Sequence, residues 1–361
     1  MYWYFDRPLV LTWILLLSAG LAMVYSATNF DGYYLMRQLV FIAVAITAFA
    51  ITVCIDLKRL EQMSVFAIFA AIALGSLVFV PGLGRTVNGA TRWLDLRFIT
   101  FHTGEVIKLL MFLFLARYVS QHRETLTGSL RGLWIPILAL LFLSTLLWEQ
   151  PDTGTTWTMS LAVLGALYLV GLRPPFFIVY LAALLMILVA TAVLSPYRLG
   201  RLSSFLDPWD DVLISGYQLA QSLIAFGRGE LFGLGYGASL QKLDYLPDAH
   251  NNFIIAIVAE EFGAVGAIAL MLMLLYLAHR VLRIGARAFE ARNMFAGTLA
   301  ASIAILLAAT TLLHIAVAIG LLPTLGFGLP LISHGGTGLV VYSVMLAMAT
   351  RIDLERKAGT L

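Results

Sequence analysis

Read as a pattern of apolar and polar positions, the chain is a succession of apolar runs, many of them near twenty residues long, closed by clusters of charge, proline or glycine. A helix needs about 20 such residues to cross the roughly 30 Å hydrocarbon core of a bilayer. With that ruler the pattern predicts ten membrane-spanning helices, near 8–28, 37–55, 63–81, 105–119, 131–148, 154–172, 175–195, 253–279, 296–321 and 334–350. The fourth is short and can begin at or before Glu105. The first, from Pro8 to Tyr25, is long for a secretory signal and leads to no cleavage site ahead of a soluble domain, so it is expected to stay in the protein. One stretch interrupts the pattern. Between Pro196 and Asn252 the chain turns polar, with Arg198, Arg201, Arg228, Lys242, Asp244 and Asp248 around Gly227, Gly229, Gly233, Gly235 and Gly237. The expected fold is all-α: one polytopic membrane domain over residues 1–361, with a large extracytoplasmic loop, 196–252, between helices seven and eight.

Composition and charge then fix class and orientation. Of the 361 residues, 61% are hydrophobic and 12% charged, and the mean hydropathy of +0.91 excludes a soluble domain. The single Cys54 excludes a disulfide framework and a cysteine metal site. A net charge of +3 does not argue for nucleic acid, because basic residues in a membrane protein mainly record which loops face the cytoplasm. With the N-terminus inside, the cytoplasmic loops carry 14 Lys and Arg and the outer ones 8, while Lys108 lies within a span. Both termini are therefore expected in the cytoplasm. The glycine-rich segment and the loops at 82–104, 149–153 and 322–333 then share the outer face.

Those outer segments hold the candidate chemistry. Arg85 to Trp93 combines turn formers with Arg85, Arg92 and an aromatic, a surface for a phosphate or sugar or, equally, an interfacial anchor. Glu105 and Lys108 follow at i, i+3, where opposite charges meet on one helix face; an ion pair is the first reading and substrate contact the second. In Trp148 to Thr156, Pro151 and Gly154 break the helix, leaving Asp152 as a functional carboxylate or an N-cap and Glu149 as a cap. Gly320 to Thr337 packs prolines and glycines into an apolar context. Irregular backbone at that depth must be buried in protein or line a cavity, so Ser333, His334 and Thr337 are candidate ligands beside their packing roles. His314 reads as an interhelical hydrogen-bonder. Glu260 and Glu261, about two turns into the eighth helix, read as partners for lysine or arginine. Gly233-Leu-Gly-Tyr-Gly237 lacks the context of a dinucleotide fold and no Walker lysine is present, so ATP and NAD are not expected.

Several stretches in order resemble the SEDS family, which includes FtsW, RodA and SpoVE. They are Val87 to Trp93, Glu105 with Lys108, Gln150-Pro-Asp-Thr-Gly154, Tyr217 to Gly229, Gly233 to Gly237, Gln241-Lys242, Leu246 to His250, Glu260-Glu-Phe-Gly263, Gly320 to Pro323 and Leu329 to Gly336. Tyr217 to Gly229 is similar to the FtsW branch rather than RodA. The resemblance implies a peptidoglycan glycosyltransferase that polymerises lipid II and releases undecaprenyl diphosphate. It implies work at the outer face of the bacterial inner membrane during division, beside an FtsI-like class B penicillin-binding transpeptidase and other divisome membrane proteins. No cofactor is required by it, and a divalent cation is compatible with it. Substrate contacts would fall to Arg85, Arg92, Glu105, Lys108, Arg228, Lys242, His250, Ser333, His334 and Gly335.

One departure bears on catalysis. Where the family has an essential aspartate before the eighth helix, this chain reads His250-Asn-Asn-Phe253. An amide at Asn252 cannot act as a base near neutral pH. Asp248, His314, His334 and Thr337 depart from the pattern as well. Three accounts stand: a deliberate Asp→Asn inactivation, a natural relative that binds lipid II without polymerising it, or a carboxylate supplied by a neighbour such as Asp248. Asp152 is the second catalytic candidate. Beside the polymerase, a lipid II flippase and a non-catalytic division scaffold remain as alternatives.

Overall fold

The computed structural model describes residues 5–87, 89–95, 100–128, 130–193, 205, 207–209 and 216–361. Arg198 and Arg201 lie outside them. The predicted runs all coincide with helices. In chain order these are α1 (Arg7–Ala27), α2 (Gly32–Val53), α3 (Leu57–Met63) and α4 (Ala67–Leu77), α5 (Thr103–Gly128), α6 (Trp134–Glu149), α7 (Thr153–Val170) and α8 (Pro174–Val193). A further helix, α9 (Tyr217–Gly229), precedes α10 (Ile254–Glu290), α11 (Met294–Ala318) and α12 (Gly336–Lys357). Among the described residues, seven helices are long and apolar enough to cross a membrane, with α3 and α4 counted as one. The protein is a multi-pass membrane protein.

Local chemistry sets the helix ends. Asp6, Asp31 and Asn293 cap α1, α2 and α11 by accepting from the backbone N–H of Leu9, Tyr33 and Ala296. Gly171, at φ 115°, closes α7 in the left-handed region that an L side chain avoids. Inside the bundle α11 is the central helix, packed against α5, α7, α10 and α12. Its alanines and Gly297 let α10 approach closely: a Cβ at Gly285 of α10 would stand 3.2 Å from both the Ala300 side chain and the Gly297 carbonyl.

The structure corrects the expected layout in four places. The third span is two helices joined by a 3₁₀ turn, Ser64–Phe66. The fourth is longer than expected, running to Gly128 with non-helical backbone at His122. The segment before it is an antiparallel sheet, β1 (Gly84–Val87), β2 (Ala90–Asp95) and β3 (Thr100–His102), in the order β1-β2-β3. Trp93 pairs with Arg85 on one side and His102 on the other. Alternating threonine, valine and tryptophan favour such strands, and Gly89 at φ 75° turns the chain between the first two. Finally, the described residues 217–229 within the expected loop form a helix: α9 is amphipathic and lays Leu219, Ala220, Ser222 and Ala225 against the bundle.

The chain after α9 is no loose loop either. At Gly263, φ 70° and ψ −173°, α10 is interrupted. The backbone groups freed there find partners in the glycine-rich chain. Ala264 and Val265 donate to the carbonyls of Glu230 and Leu231, and Leu234 and Gly235 donate to those of Glu260 and Glu261. Every buried backbone group needs such a partner. The contact is so close that a Cβ at Gly263 would stand 2.3 Å from the Leu231 carbonyl oxygen.

Orientation is testable in a background where the exposed Cys54 is replaced by serine. Cysteines at Leu240, which is exposed, and at Gly335, where a Cβ meets nothing within 4 Å, are expected to react with an impermeant maleimide in intact cells. One at Ala286, near the far end of α10, is expected to react only after lysis. The reverse pattern would reject cytoplasmic termini. Gly235 itself is a poor probe because its φ of 102° strains any side chain.

Candidate active site

The polar groups gather at the end of the bundle where α2, α5, α7, α10 and α12 begin. One cluster is built on Asp152. Gln150, immediately before α7, is locked in place by donating to the Gly75 carbonyl and accepting from Thr103. That anchor sets Asp152, whose carboxylate accepts from the Thr155 backbone as an N-cap, at 3.4 Å. The second carboxylate oxygen has no hydrogen-bond partner within the protein. Arg92 of β2 approaches the carboxylate at 3.9 Å and His102 of β3 at 3.5 Å.

Burial disfavours the Asp152 charge, but His102 and Arg92, with the Thr155 N–H, outweigh it and hold the carboxyl below its usual range. Burial also pushes the His102 imidazole down, in spite of Asp152 and Glu105. Glu105 and Lys108 form the expected pair at 2.9 Å on α5, with the ammonium 5.3 Å from the Tyr342 ring centroid. A Cβ at Gly104 would stand 2.6 Å from the Asp152 carboxylate, so a side chain there would displace it.

A second cluster lies across the start of α12. His334 donates its backbone N–H to the His250 carbonyl, and its Nδ1 lies 3.1 Å from the Gln38 amide oxygen. The rings of Tyr34, His250 and His334 stand mutually 5.2 to 5.7 Å apart. Burial holds the His334 imidazole down at about 4 and lowers His250 as well. Burial thus disfavours the charged form of both rings. Asn252 donates its side-chain amide to Asp248 at 3.4 Å. The two clusters are joined through α12, where the hydroxyl of Thr337, three residues past His334, accepts from the His102 backbone at 3.0 Å.

Other candidates are engaged inside the protein. Ser333 accepts from Leu329 N–H and donates to the Asn251 carbonyl, both at 2.7 Å, so its hydroxyl fastens the segment before α12 to the start of α10. His314 reaches the Phe327 carbonyl at 3.1 Å, holding that segment from below. Gly335 is the N-cap residue of α12 in extended conformation. Arg85 is largely exposed and lies 3.8 Å from Asp95. Glu149, expected as a cap, is instead the exposed last residue of α6, where the free groups are carbonyls to which a carboxylate cannot donate.

The glycine-rich chain forms a third arrangement around the interrupted α10. Glu260 accepts from Ser239 and from the backbone of Leu240 and Gln241, with Arg228 3.4 Å away. Glu261 takes Ser26 and Lys242. Lys242 directs all three of its donors inward, to Glu261 at 3.1 Å, Ser26 at 3.1 Å and the Gly237 carbonyl at 2.8 Å. This geometry leaves none for a diphosphate. Arg228, with 38% of its side chain exposed, is the cation of this pair that still faces outward.

The residues that sequence reasoning passed over are Tyr34, Gln38 and His102. Gln38 could have been found as a fully buried amide in an apolar helix. His102 gave no comparable signal, because only the β2–β3 pairing turns it toward Asp152. No group of three or more His, Cys, Asp or Glu among the described residues is placed to hold a metal ion.

Comparison with known proteins bears on the family and the fold. Residues 6–358 match the cell cycle protein family of FtsW, RodA and SpoVE. The chain is 38% identical to the probable peptidoglycan glycosyltransferase FtsW of Coxiella burnetii, over 98% of this chain and 97% of that one. It is 37% identical to the protein of the same name from Escherichia coli O157:H7, over 98% and 87%. In three dimensions it is similar to a chain of a peptidoglycan synthase complex that coordinates polymerization and crosslinking, with a TM-score of 0.82 and 25% identity over 98% and 99%. The fold of the rod shape determining protein RodA of Thermus thermophilus also matches, with a TM-score of 0.73 and 22% identity over 98% of each chain. The chain belongs to the FtsW, RodA and SpoVE family of cell cycle proteins.

Proposed function

We propose that this protein carries the site of a peptidoglycan glycosyltransferase that uses lipid II. It would be a single domain of ten spans with both termini in the cytoplasm, set in the inner membrane at the division septum. The observation that carries the reading is the meeting of two polar clusters at one end of an otherwise apolar bundle. There Arg92, His102, Asp152 and the Glu105–Lys108 pair stand on one side of the α12 start, and Gln38, His250, Asn252 and His334 on the other. Nε of Arg92, Nδ1 of His102, a carboxylate oxygen each of Glu105 and Asp152, and the Gln38 amide nitrogen are buried without a protein hydrogen-bond partner. Buried polar atoms are rarely left so. A sugar and a diphosphate bring the donors and acceptors that would complete them.

In the transfer, a hydroxyl of one glycan attacks the anomeric carbon of another. The hydroxyl proton passes to a base, and undecaprenyl diphosphate leaves with its charge compensated by arginine or lysine. The relatives named as glycosyltransferases and the synthase complex support this assignment. By the same likeness, the partner would be a class B penicillin-binding transpeptidase. A second reading, a protein that binds lipid II without polymerising it, is favoured by one feature: the position expected to hold the base is the amide of Asn252.

Arg228 tests the diphosphate side. Because its guanidinium is half-exposed beside Glu260, Arg228→Ala is expected to weaken lipid II binding several-fold, about 1 kcal/mol for a charge that solvent still screens. Arg123→Ala, far along α5, is expected to change it little. Equal affinity of the two purified variants, with matching melting curves, would remove Arg228 from the site.

A further inference from the structure

The opposite end of the bundle holds an arrangement that the glycosyl-transfer reading leaves unused. A cleft of about 400 Å³ opens between the start of α1 and the ends of α10 and α12, lined by Phe5, Asp6, Arg7, Arg280, Arg287 and Lys357. We infer that this cleft binds a phosphate-bearing anion, the headgroup of an anionic phospholipid.

Among the described residues, the carboxylate at the cleft is already committed to other groups. The one carboxylate in the lining, Asp6, is already taken twice: it caps α1 through the Leu9 N–H and is bonded to Arg280. Lys357 reaches Asp353 at 2.6 Å, but that buried carboxylate also serves Arg356 at 2.9 Å. Arg7 and Arg287 form no ion pair with any described residue. Nε of Arg280 is buried and has no hydrogen-bond partner. Among the described residues, Arg7 and Arg287 thus face the cleft without an ion pair, and its one lining carboxylate carries other bonds.

Position selects the source of the anion. Arg280 and Arg287 are seven residues apart, nearly the same direction on a helix and about 10 Å along its axis, so they form one cationic edge of the cleft. Counted from the interruption at Gly263, Arg280 and Arg287 lie about 26 and 36 Å further along α10, at 1.5 Å per residue, which brackets the thickness of a hydrocarbon core of about 30 Å. That is headgroup depth, and Phe5 gives the cleft an apolar wall beside it. Arginine suits phosphate through its planar fork of donors, and a basic pocket between helix ends is the common form of a lipid-phosphate site.

The test compares two double variants of the full-length protein that lose the same charge. In R7Q/R287Q the lining cations are removed, whereas in R283Q/R292Q two neighbouring arginines outside the cleft are removed. Each is purified in detergent, and retained phosphatidylglycerol is counted by native mass spectrometry against phosphatidylcholine. The unaltered chain and R283Q/R292Q are expected to retain phosphatidylglycerol selectively, and R7Q/R287Q to retain it about tenfold less well or worse. A parallel arm adds inorganic phosphate without lipid. Charge-selective stabilisation of melting there, lost in R7Q/R287Q and without lipid preference, would support the phosphate site with a soluble source. Equal retention by the two double variants, or equal retention of the zwitterionic lipid by the unaltered chain, would overturn it. If R7Q/R287Q cannot be purified, R7Q alone decides, and retention equal to that of the unaltered chain overturns the inference. None of these residues belongs to the candidate active site, so the result stands apart from the glycosyl-transfer reading.

Discussion

Replacing Asn252 by aspartate is expected to raise glycan polymerisation from lipid II by roughly 10²–10⁴-fold, the contribution of a positioned general base. The side chain stands at the start of α10, 3.4 Å from Asp248 and next in sequence to Asn251, whose carbonyl is fixed by Ser333. Its position is therefore set by the backbone, and a near-isosteric carboxylate would take the same place. Two carboxylates at that distance disfavour each other's charge, which would raise the basicity of the pair toward working pH. Glycan strands made from purified lipid II, with the transpeptidase partner supplied, are the readout. If the unaltered chain polymerises and the variant is no faster, the base is elsewhere, and Asp152 with its unpartnered oxygen is the next candidate. If neither polymerises while both bind lipid II, the protein is a binding scaffold.

The second large effect is on stability. Lys242→Met is expected to destabilise the protein by about 3–5 kcal/mol, because it leaves the carboxylate of Glu261 buried without its counter-charge. Adding Glu261→Gln should recover most of that loss, since the cost lies in the uncompensated charge rather than in the missing bond. The damage should reach beyond the pair. Glu260 and Glu261 hold the glycine-rich chain that in turn satisfies the interrupted backbone at Gly263. A lower melting temperature in Lys242→Met, restored in the double variant, is the expected result. Unchanged melting combined with weakened lipid II binding would instead make Lys242 a substrate ligand and reject the structural role.

These two sites differ in how they could be known beforehand. The absence of a base at Asn252 is written in the residue type, because an amide cannot take a proton near neutral pH wherever it sits. The role of Lys242 is not. A lysine in a glycine-rich polar segment reads as a surface cation, and only the wrapping of that segment around α10 puts its ammonium where three acceptors are waiting.

The same division runs through the molecule. The membrane helices were legible in the residue order, because apolar runs near twenty residues closed by charge match the thickness of a hydrocarbon core. So was the Glu105–Lys108 pair, because i and i+3 share a helix face whatever surrounds them. Contacts between residues far apart in the chain were decided by the tertiary structure. The sheet that turns His102 toward Asp152, the junction of α12 with both polar clusters, and the repair of α10 at Gly263 by residues 230–235 all depend on such meetings. Periodicity reports the neighbours along one element. A buried group's partner is set by which elements pack together, and in this protein that choice places the carboxylates, imidazoles and guanidinium groups on which the proposed chemistry rests.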